Sequence, residues 1–336
     1  DYASQGRCVT TNDYKVFVQK LYPNATAIQV FGGENGSFDS SLGVVATAEY
    51  GKVFISVRNN LGTNLTEVEK TGLVSQLGKF TVASITPVIV DPDFMYVLLT
   101  CDFKYDSSAT TKTKDTLVTE VTQTIIDYNT TELVKFDAIL RHSKLLSLID
   151  STDNSITSSS VNPRLAKYFT PEKGESKSYN LYYNNALYNP HAGHNSDMGG
   201  ILTSTGFYVS GTNSTNEQFF DDDGNGNLRT YYLTGATRNY TNETAGTVDY
   251  VTGAIAINNI VITSISNVDG ATSTRIRVVV LPRSNDIVAL RNQILEIDTV
   301  NTKVTGGVDT IAVGDEGGAA NFSATSAGVD ATGTSY

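Results

Sequence analysis

Helical periodicity in this chain lapses at about Ser151, and from Ser155 to Pro282 β-forming residues alternate with turn residues before one last helical segment. Two kinds of core are therefore needed along one chain, one built with helices and one built almost wholly of strands. In the first part, TTNDYKVFVQKLYPN sets Val16, Phe17, Lys20 and Leu21 at helical spacing, with Thr11 or Asn12 as the N-cap and Pro23 as the stop. AIQVFGG and YGKVFISVR alternate apolar residues and carry Gly near their ends, so they predict strands. Residues 65–79, LTEVEKTGLVSQLGK, predict a second helix with Val68, Leu73 and Leu77 inward. SITPVIVDPDFMYVLLTCDFKYD predicts one long strand or two, broken near Pro92. Two helices against a small sheet make a first α/β domain over residues 1–110.

Residues 111–155 predict a helical connector. Leu117, Val121 and Ile125 form one stripe, and FDAILRHSKLLSLID adds Phe136, Ile139, Leu140, Leu145, Leu146 and Ile149 in another helix. A β-rich domain over 156–283 follows, with NLYYNNALYN, GGILTSTGFYVSG, LRTYYLTG, GTVDYVTGAIAINNIVITSI and TRIRVVVLP each a strand or hairpin. Residues 284–303 read as a closing helix capped by Ser284 or Asn285, and 304–336 as an extended or flexible Gly/Ala/Thr/Ser-rich tail. The fold class is thus α+β and multidomain, as a length of 336 residues also implies.

Charge excludes one class of partner. There are 24 basic against 35 acidic residues, a net charge of -11, with no Lys/Arg cluster to reverse it locally. Such a field repels phosphate backbones, so nucleic acid is not an expected partner. No apolar run approaches the roughly 18 residues of a membrane helix, so no membrane partner is expected either. Cys8 and Cys101 lie far apart without a C-x-x-C spacing; a disulfide between them is one reading and two free thiols of a reduced compartment the preferred one, with Cys101 as a buried strand residue. The Asn-x-Thr sequons at Asn24, Asn64 and Asn242 are the chance yield of an Asn/Thr-rich chain.

Chemistry-bearing candidates are few. His191-x-x-His194, with Asp197 behind it, has the spacing of half a metal site, but nothing obvious supplies the remaining ligands, and a polar loop explains it as well. His142 falls in a predicted helix, with a solvated or interface role. No nucleophile elbow, phosphate loop or dinucleotide fingerprint occurs, so no enzyme, cofactor or small-molecule substrate is expected. The absence of tryptophan weighs against a sugar-binding cleft.

FFDDDGNGNLRTYYL, from Phe219 to Leu233, poses the sharpest question. Asp221, Asp223, Asn225 and Gly226 match the opening of a calcium loop, whose ninth and twelfth positions should supply oxygen. Arg229 and Tyr232 stand there instead. A hairpin accounts for more of the stretch, with Asp223-Gly224 and Asn225-Gly226 supplying the turn and Phe219, Phe220, Tyr231 and Tyr232 the strands. In that reading the aspartates flank a hairpin tip where a neighbour's lysine or arginine can meet them. A calcium-stabilised surface adhesin or binding module is the alternative reading.

In the closing segment NDIVALRNQILEID, Ile287, Leu290, Ile294 and Ile297 recur at three- and four-residue steps. As a helix they form a narrow seam, suited to self-association across a two-fold axis or to docking on the chain's own β domain.

Six of these segments, in order, resemble the baseplate wedge subunits of T4-like contractile-tailed phages, the large wedge protein of the baseplate J-like group. They are GRCVTTNDYKVFVQKLYPNATAIQVFGGEN, YGKVFISVR, VDPDFMYVLLTCDFKYD, FDAILRHSKLLSLIDSTDNSITSSSVNPRLAKYFTP, GTVDYVTGAIAINNIVI and NDIVALRNQILEID. The resemblance spans about Gly6 to Asp298 and implies a structural, non-catalytic virion protein of the tail baseplate, assembled in the host cytoplasm. It implies self-association as a dimer or ring, contact with other wedge proteins, and rearrangement at sheath contraction. Family members carry a region before the G-R-x-V-T segment, and this chain opens on Asp rather than Met, so it is expected to be the C-terminal half of a wedge protein. The segments Asp106–Lys114 and Asp150–Ser160 are the expected hinges.

Overall fold

Burial alternates residue by residue along Asp93–Tyr105. Met95, Val97, Leu99, Cys101, Phe103 and Tyr105 are buried, while Thr100, Asp102 and Lys104 are exposed. This is the signature of a strand with one wet face and one packed face. The structure is a computed structural model that describes residues 6–35, 38–39, 44–45, 48–192, 201–211, 213–268 and 270–310.

In chain order the elements are α1 (Thr11–Leu21), β1 (Ala25–Gly32), β2 (Phe38–Asp39), β3 (Val44–Val45), β4 (Lys52–Asn59), α2 (Glu67–Leu77), β5 (Thr86–Val90) and β6 (Asp93–Tyr105). Then come α3 (Lys114–Tyr128), β7 (Ile139–Leu140), α4 (His142–Asp150), β8 (Ile156–Phe169), β9 (Ser176–Tyr182), β10 (Leu202–Ser204), β11 (Phe207–Val209) and β12 (Gln218–Asp222). The remainder are β13 (Asn227–Thr234), β14 (Thr237–Asp249), β15 (Ala254–Ile265), β16 (Ile276–Val280), β17 (Ile287–Val288), β18 (Gln293–Ile297) and β19 (Lys303–Val308). Strands predominate over helices among the described residues.

The chain divides into two compact units. The first takes the residues up to Phe94 together with Glu132–Ile139 and Val288–Glu296. Its sheet runs β1-β4-β5, with β1 antiparallel and β5 parallel to β4. Both helices begin with a capping box: Thr10 with Asp13 for α1, and Thr66 with Glu69 for α2. In each, the Thr hydroxyl accepts from the third helical N–H and the carboxylate accepts from the cap N–H, so two orphan donors are satisfied. The cap of α1 is thus Thr10, one residue before the expected start. Tyr14, Phe17 and Val18 of α1 and Leu73 and Leu77 of α2 pack with Val30, Ile55 and Val57 of the sheet. Val68, expected inward, is 83% exposed: it lies in the first turn of α2, off the Leu73/Leu77 face.

The second unit holds Met95–Thr131, Leu140–Ile287 and the residues from Ile297 onward. β10, β16, β8 and β6 lie side by side as antiparallel neighbours, and β19 joins β6 in parallel from Lys303↔Thr100 to Val308↔Tyr105. Leu117, Val121 and Ile125 form the expected buried stripe of α3. The second connector helix is shorter than expected. Asp137 takes φ 59°, in the left-handed region where a helix cannot continue, so α4 starts only at His142. Leu145 and Ile149 remain its buried face.

β8 and β16 are neighbours, with Phe169 opposite Ile276. Between them the chain builds a small barrel. β11, β12, β13, β14 and β15 follow one another, β11 also pairs β15 from Phe207↔Ile265 to Val209↔Ile262, and β9 lies outside on β15. Closure removes the free edges that an open sheet would expose. Phe207 and Phe220 (ring centroids 4.5 Å apart), Leu228, Val248, Ile255, Ile257 and Ile262 are buried in it.

The closing helix expected over residues 284–303 is absent. The segment forms β17 and β18, separated by a turn in which Gln293 N–H donates to the Leu290 carbonyl (3.0 Å) and Asn292 adopts φ 63°. Asn292 is fixed there because its N–H donates to Gln29 Oε1 (2.6 Å) and its Nδ2 to the Asp91 carbonyl (2.9 Å). Of the tail, residues 303–308 form β19, and 311–336 lie outside the described residues.

Candidate functional site

Folding FFDDDGNGNLRTYYL in two about Asn225 gives the observed hairpin. β12 and β13 pair with Phe219↔Tyr231, Phe220↔Thr230, Asp221↔Arg229 and Asp222↔Leu228 in register. Gly224 (φ 73°) and Gly226 (φ 102°) supply the left-handed positions of the turn, where a side chain would be strained.

Each aspartate has its own task. Asp223 closes the turn: its Oδ1 accepts from the N–H groups of Asn225 (2.8 Å) and Asn227 (2.9 Å), and its Oδ2 from Asn227 Nδ2 (2.6 Å). Its carboxyl sits below its ordinary range: burial pushes it up, and the Asn227 and Asn225 hydrogen bonds, which favour the charged form, outweigh that. Asp222, fully buried, accepts from the Leu202 N–H (3.1 Å) and the Tyr250 hydroxyl (2.8 Å). Burial first, and then the Asp222 charge, raise the Tyr250 phenol, so it stays a donor.

Asp221 lies on the other face and is 1% exposed. Oδ1 accepts from Arg229 Nε (3.0 Å), while Oδ2 accepts from Arg238 Nη1 (2.9 Å), the Tyr240 hydroxyl (2.9 Å) and, more weakly, Arg229 Nη2 (3.4 Å). Arg229 also donates to the Asp222 carbonyl (2.9 Å). The guanidinium of Arg229 stacks 4.2 Å over the Tyr240 ring, and that of Arg238 4.7 Å over the Tyr231 ring. Burial drives the Asp221 carboxyl up, and Arg229, Tyr240 and Arg238 oppose it. This is a clamp across β12, β13 and β14. A cation at Asp221 would have to displace two guanidinium groups, so the arrangement is built to hold strands rather than an ion. The expectation that these aspartates wait for a neighbour's cation is corrected for Asp221, whose cations come from its own hairpin and the next strand.

Asp221 opposite Arg229 was readable once the turn was placed. Arg238 and Tyr240 were not, because they come from a third strand with an irregular register against β13.

The four residues expected as an association seam are separated. Ile287 (0%), Ile294 (0%) and Ile297 (2%) are buried and only Leu290 (46%) is exposed. Ile294 bridges Phe136, and the Ile297 N–H donates to Asn129 Oδ1 (2.7 Å). No helical face carries them, since the segment is two short strands around a turn.

His142 is half-buried, with Nε2 donating to the Val161 carbonyl (2.8 Å), and its N–H is held by Asp286 (2.9 Å). His191 is exposed, while His194 and Asp197 lie outside the described residues. Among the described residues no three His, Cys, Asp or Glu side chains converge as metal ligands, and no helix is long and apolar enough to cross a membrane. Cys8 and Cys101 are free and buried, and burial pushes their thiols up to about 11 and about 12. The two segments expected as hinges both lie in the second unit and are joined: the Asp106 N–H donates to the Ser155 carbonyl (2.8 Å), and Lys112 pairs with Asp153 (2.7 Å).

Two family models match in succession. Residues 10–90 match the baseplate structural protein gp6, C-terminal domain I, and residues 93–168 match C-terminal domain III of the same protein. The baseplate wedge protein gp6 of Enterobacteria phage T4 is 25% identical over 190 residues, which cover 55% of this chain and 26% of that protein. The chain thus spans about a quarter of the curated relative it matches. A chain of the anti-feeding prophage baseplate aligns over 48% of this chain and 34% of its own length, at 15% identity and a TM-score of 0.33, too low for a shared overall fold. The barrel, between β8 and β16, lies outside both matched ranges. Through residues 10–168 the chain is similar to baseplate structural proteins of phage.

Proposed function

We propose that this chain is a load-bearing, non-catalytic part of a contractile tail baseplate. It associates with itself and joins neighbouring wedges into a ring around the hub, and that ring rearranges when sheath contraction is triggered. The observation that carries this reading is the pair of consecutive matches over 10–90 and 93–168 to domains of one baseplate structural protein. The chemistry agrees with it: the Asp221 cluster is a strand clamp with both carboxylate oxygens engaged.

Assembly requires apolar anchors on the surface. The first unit offers Tyr50 (83% exposed), Leu61 (80%) and Val68 (83%). Sedimentation of the purified chain over a wide concentration range, alone and with other wedge proteins, tests the reading. Concentration-dependent self-association or a stable mixed complex is expected; a monomer at every concentration that binds no wedge protein refutes it.

A further inference from the structure

β14 and β15 pair only over Gly246–Asp249 against Ala254–Ile257, and beyond Gly246 and Ile257 the ladder ends. Two irregularities cause this. β14 carries extra residues against β13 between Gly246 and Tyr240, and β15 slips register against β9 between Ile257 and Ile260, with Asn259 at φ 45°. Extra residues bend a strand away from its partner. The gap is a cavity of about 370 Å³ at the side of the barrel. Buried Thr230 forms its floor, exposed Asn242, Asn258 and Asn259 its rim, and Val209 and Val261 an apolar wall.

None of the lining residues is charged. Within the lining, the Thr241 hydroxyl bonds the Thr230 hydroxyl (2.9 Å) and donates to Oε1 of Gln218 behind it (2.7 Å). Gln218 is fully buried, yet its Nε2, a double donor, has no hydrogen-bond partner. Native interiors rarely leave such a donor unmet, and this one adjoins the hydroxyls that line the cavity.

We propose that this barrel groove binds a neutral sugar residue, a single hexopyranose unit of a glycan. Amides and hydroxyls together offer donors and acceptors in the mixture that sugar hydroxyls require. The apolar wall suits a C–H face of the ring, and a lining without cations gives no recognition of phosphate or carboxylate. The volume falls in the range of roughly 300–1,000 Å³ usual for ligand pockets. With no aromatic side chain in the lining to stack on the ring, binding is weak, with Kd on the order of 1 mM. The proposal stands apart from the baseplate reading.

The test uses the purified full chain titrated with glucose, galactose, N-acetylglucosamine and, as the anionic counterpart, galacturonate, followed by calorimetry and saturation-transfer NMR. At least one neutral sugar is expected to bind saturably and more tightly than galacturonate. Asn242→Ala and Asn258→Ala, at exposed positions, are each expected to weaken that binding about fivefold, the effect of one neutral hydrogen bond; Asn242→Ala is also expected to lower the melting temperature slightly, because Asn242 Oδ1 accepts from the Thr244 N–H (2.9 Å). The proposal is overturned by no saturable binding of any neutral sugar, by galacturonate binding tighter than galactose, or by undiminished binding in both variants.

Discussion

Asp221 and Arg229 face each other across the β12–β13 hairpin, with Oδ1 3.0 Å from Nε and both side chains buried. The register that a tight turn at Asp223–Gly226 imposes is what brings them together, and Arg238 and Tyr240 complete the cluster from β14. Removing the carboxylate leaves two guanidinium groups without their anion. Asp221→Ala is therefore expected to lower unfolding free energy by about 3–5 kcal/mol, the usual consequence of breaking a buried pair. Urea unfolding measures it, and Arg229→Met in the same background should recover part of the loss. Additive losses in the double mutant would show the pair to be uncoupled.

Calcium has no vacancy to fill at this hairpin. Melting temperature in calcium and in EDTA is expected to agree within about 1 °C, because a ligand that does not bind the native state cannot shift its stability. A rise of several degrees with calcium would restore the cage reading of Asp221, Asp223 and Asn225.

Leu290 and Ile294 should respond oppositely to substitution. Ile294 is fully buried, so Ile294→Ala is expected to cost about 2–5 kcal/mol. Leu290 is 46% exposed, and Leu290→Asp should change stability by no more than about 0.5 kcal/mol and leave oligomeric state unchanged. Loss of self-association in Leu290→Asp would reinstate an interface there. The error in reading this segment as a helix has a physical cause. Apolar residues in two short strands flanking the Asn292 turn fall at steps of three and four, which imitates a helix of period 3.6. The turn depends on Gln29 and Asp91, far off in sequence, and so was not visible locally.

Acid should weaken the second unit through Asp153. Its carboxyl is lowered from the ordinary value of 3.8 to about 2, chiefly by Lys112 and then by the Ser155 hydroxyl and N–H. A carboxyl lowered on folding contributes stability that is complete above its unfolded value and disappears as pH falls through its folded one. The contribution is thus expected to fade between about pH 4 and pH 2. Urea midpoints over that window should fall less steeply in Asp153→Asn than in the parent, and equal slopes would refute the assignment.

Both thiols should resist modification in the native protein. Cys8 and Cys101 are buried, and burial raises them to about 11 and about 12, so at neutral pH neither is a thiolate. A thiol reagent is expected to label neither until denaturant is added. Rapid labelling of native protein would place one of them at the surface.

Features set by neighbours in sequence were legible: the Leu117/Val121/Ile125 stripe, the break near Pro92 and the hairpin about Asn225. Features set by distant pairing were not. Phe207 against Ile265 closes the barrel, and no local pattern marks it. Asp137, whose left-handed backbone delays α4 to His142, sits in a stretch whose apolar spacing continues a helix. The Asp221 clamp was half legible, since Arg229 follows from the turn, whereas Arg238 and Tyr240 depend on irregular pairing of a third strand.

Cross-linking mass spectrometry of intact particles tests the central claim most directly. The account predicts cross-links from residues 10–168 to other baseplate proteins and to a second copy of this chain. Particles in which the chain is absent, or present without a single cross-link to a baseplate protein, would contradict it.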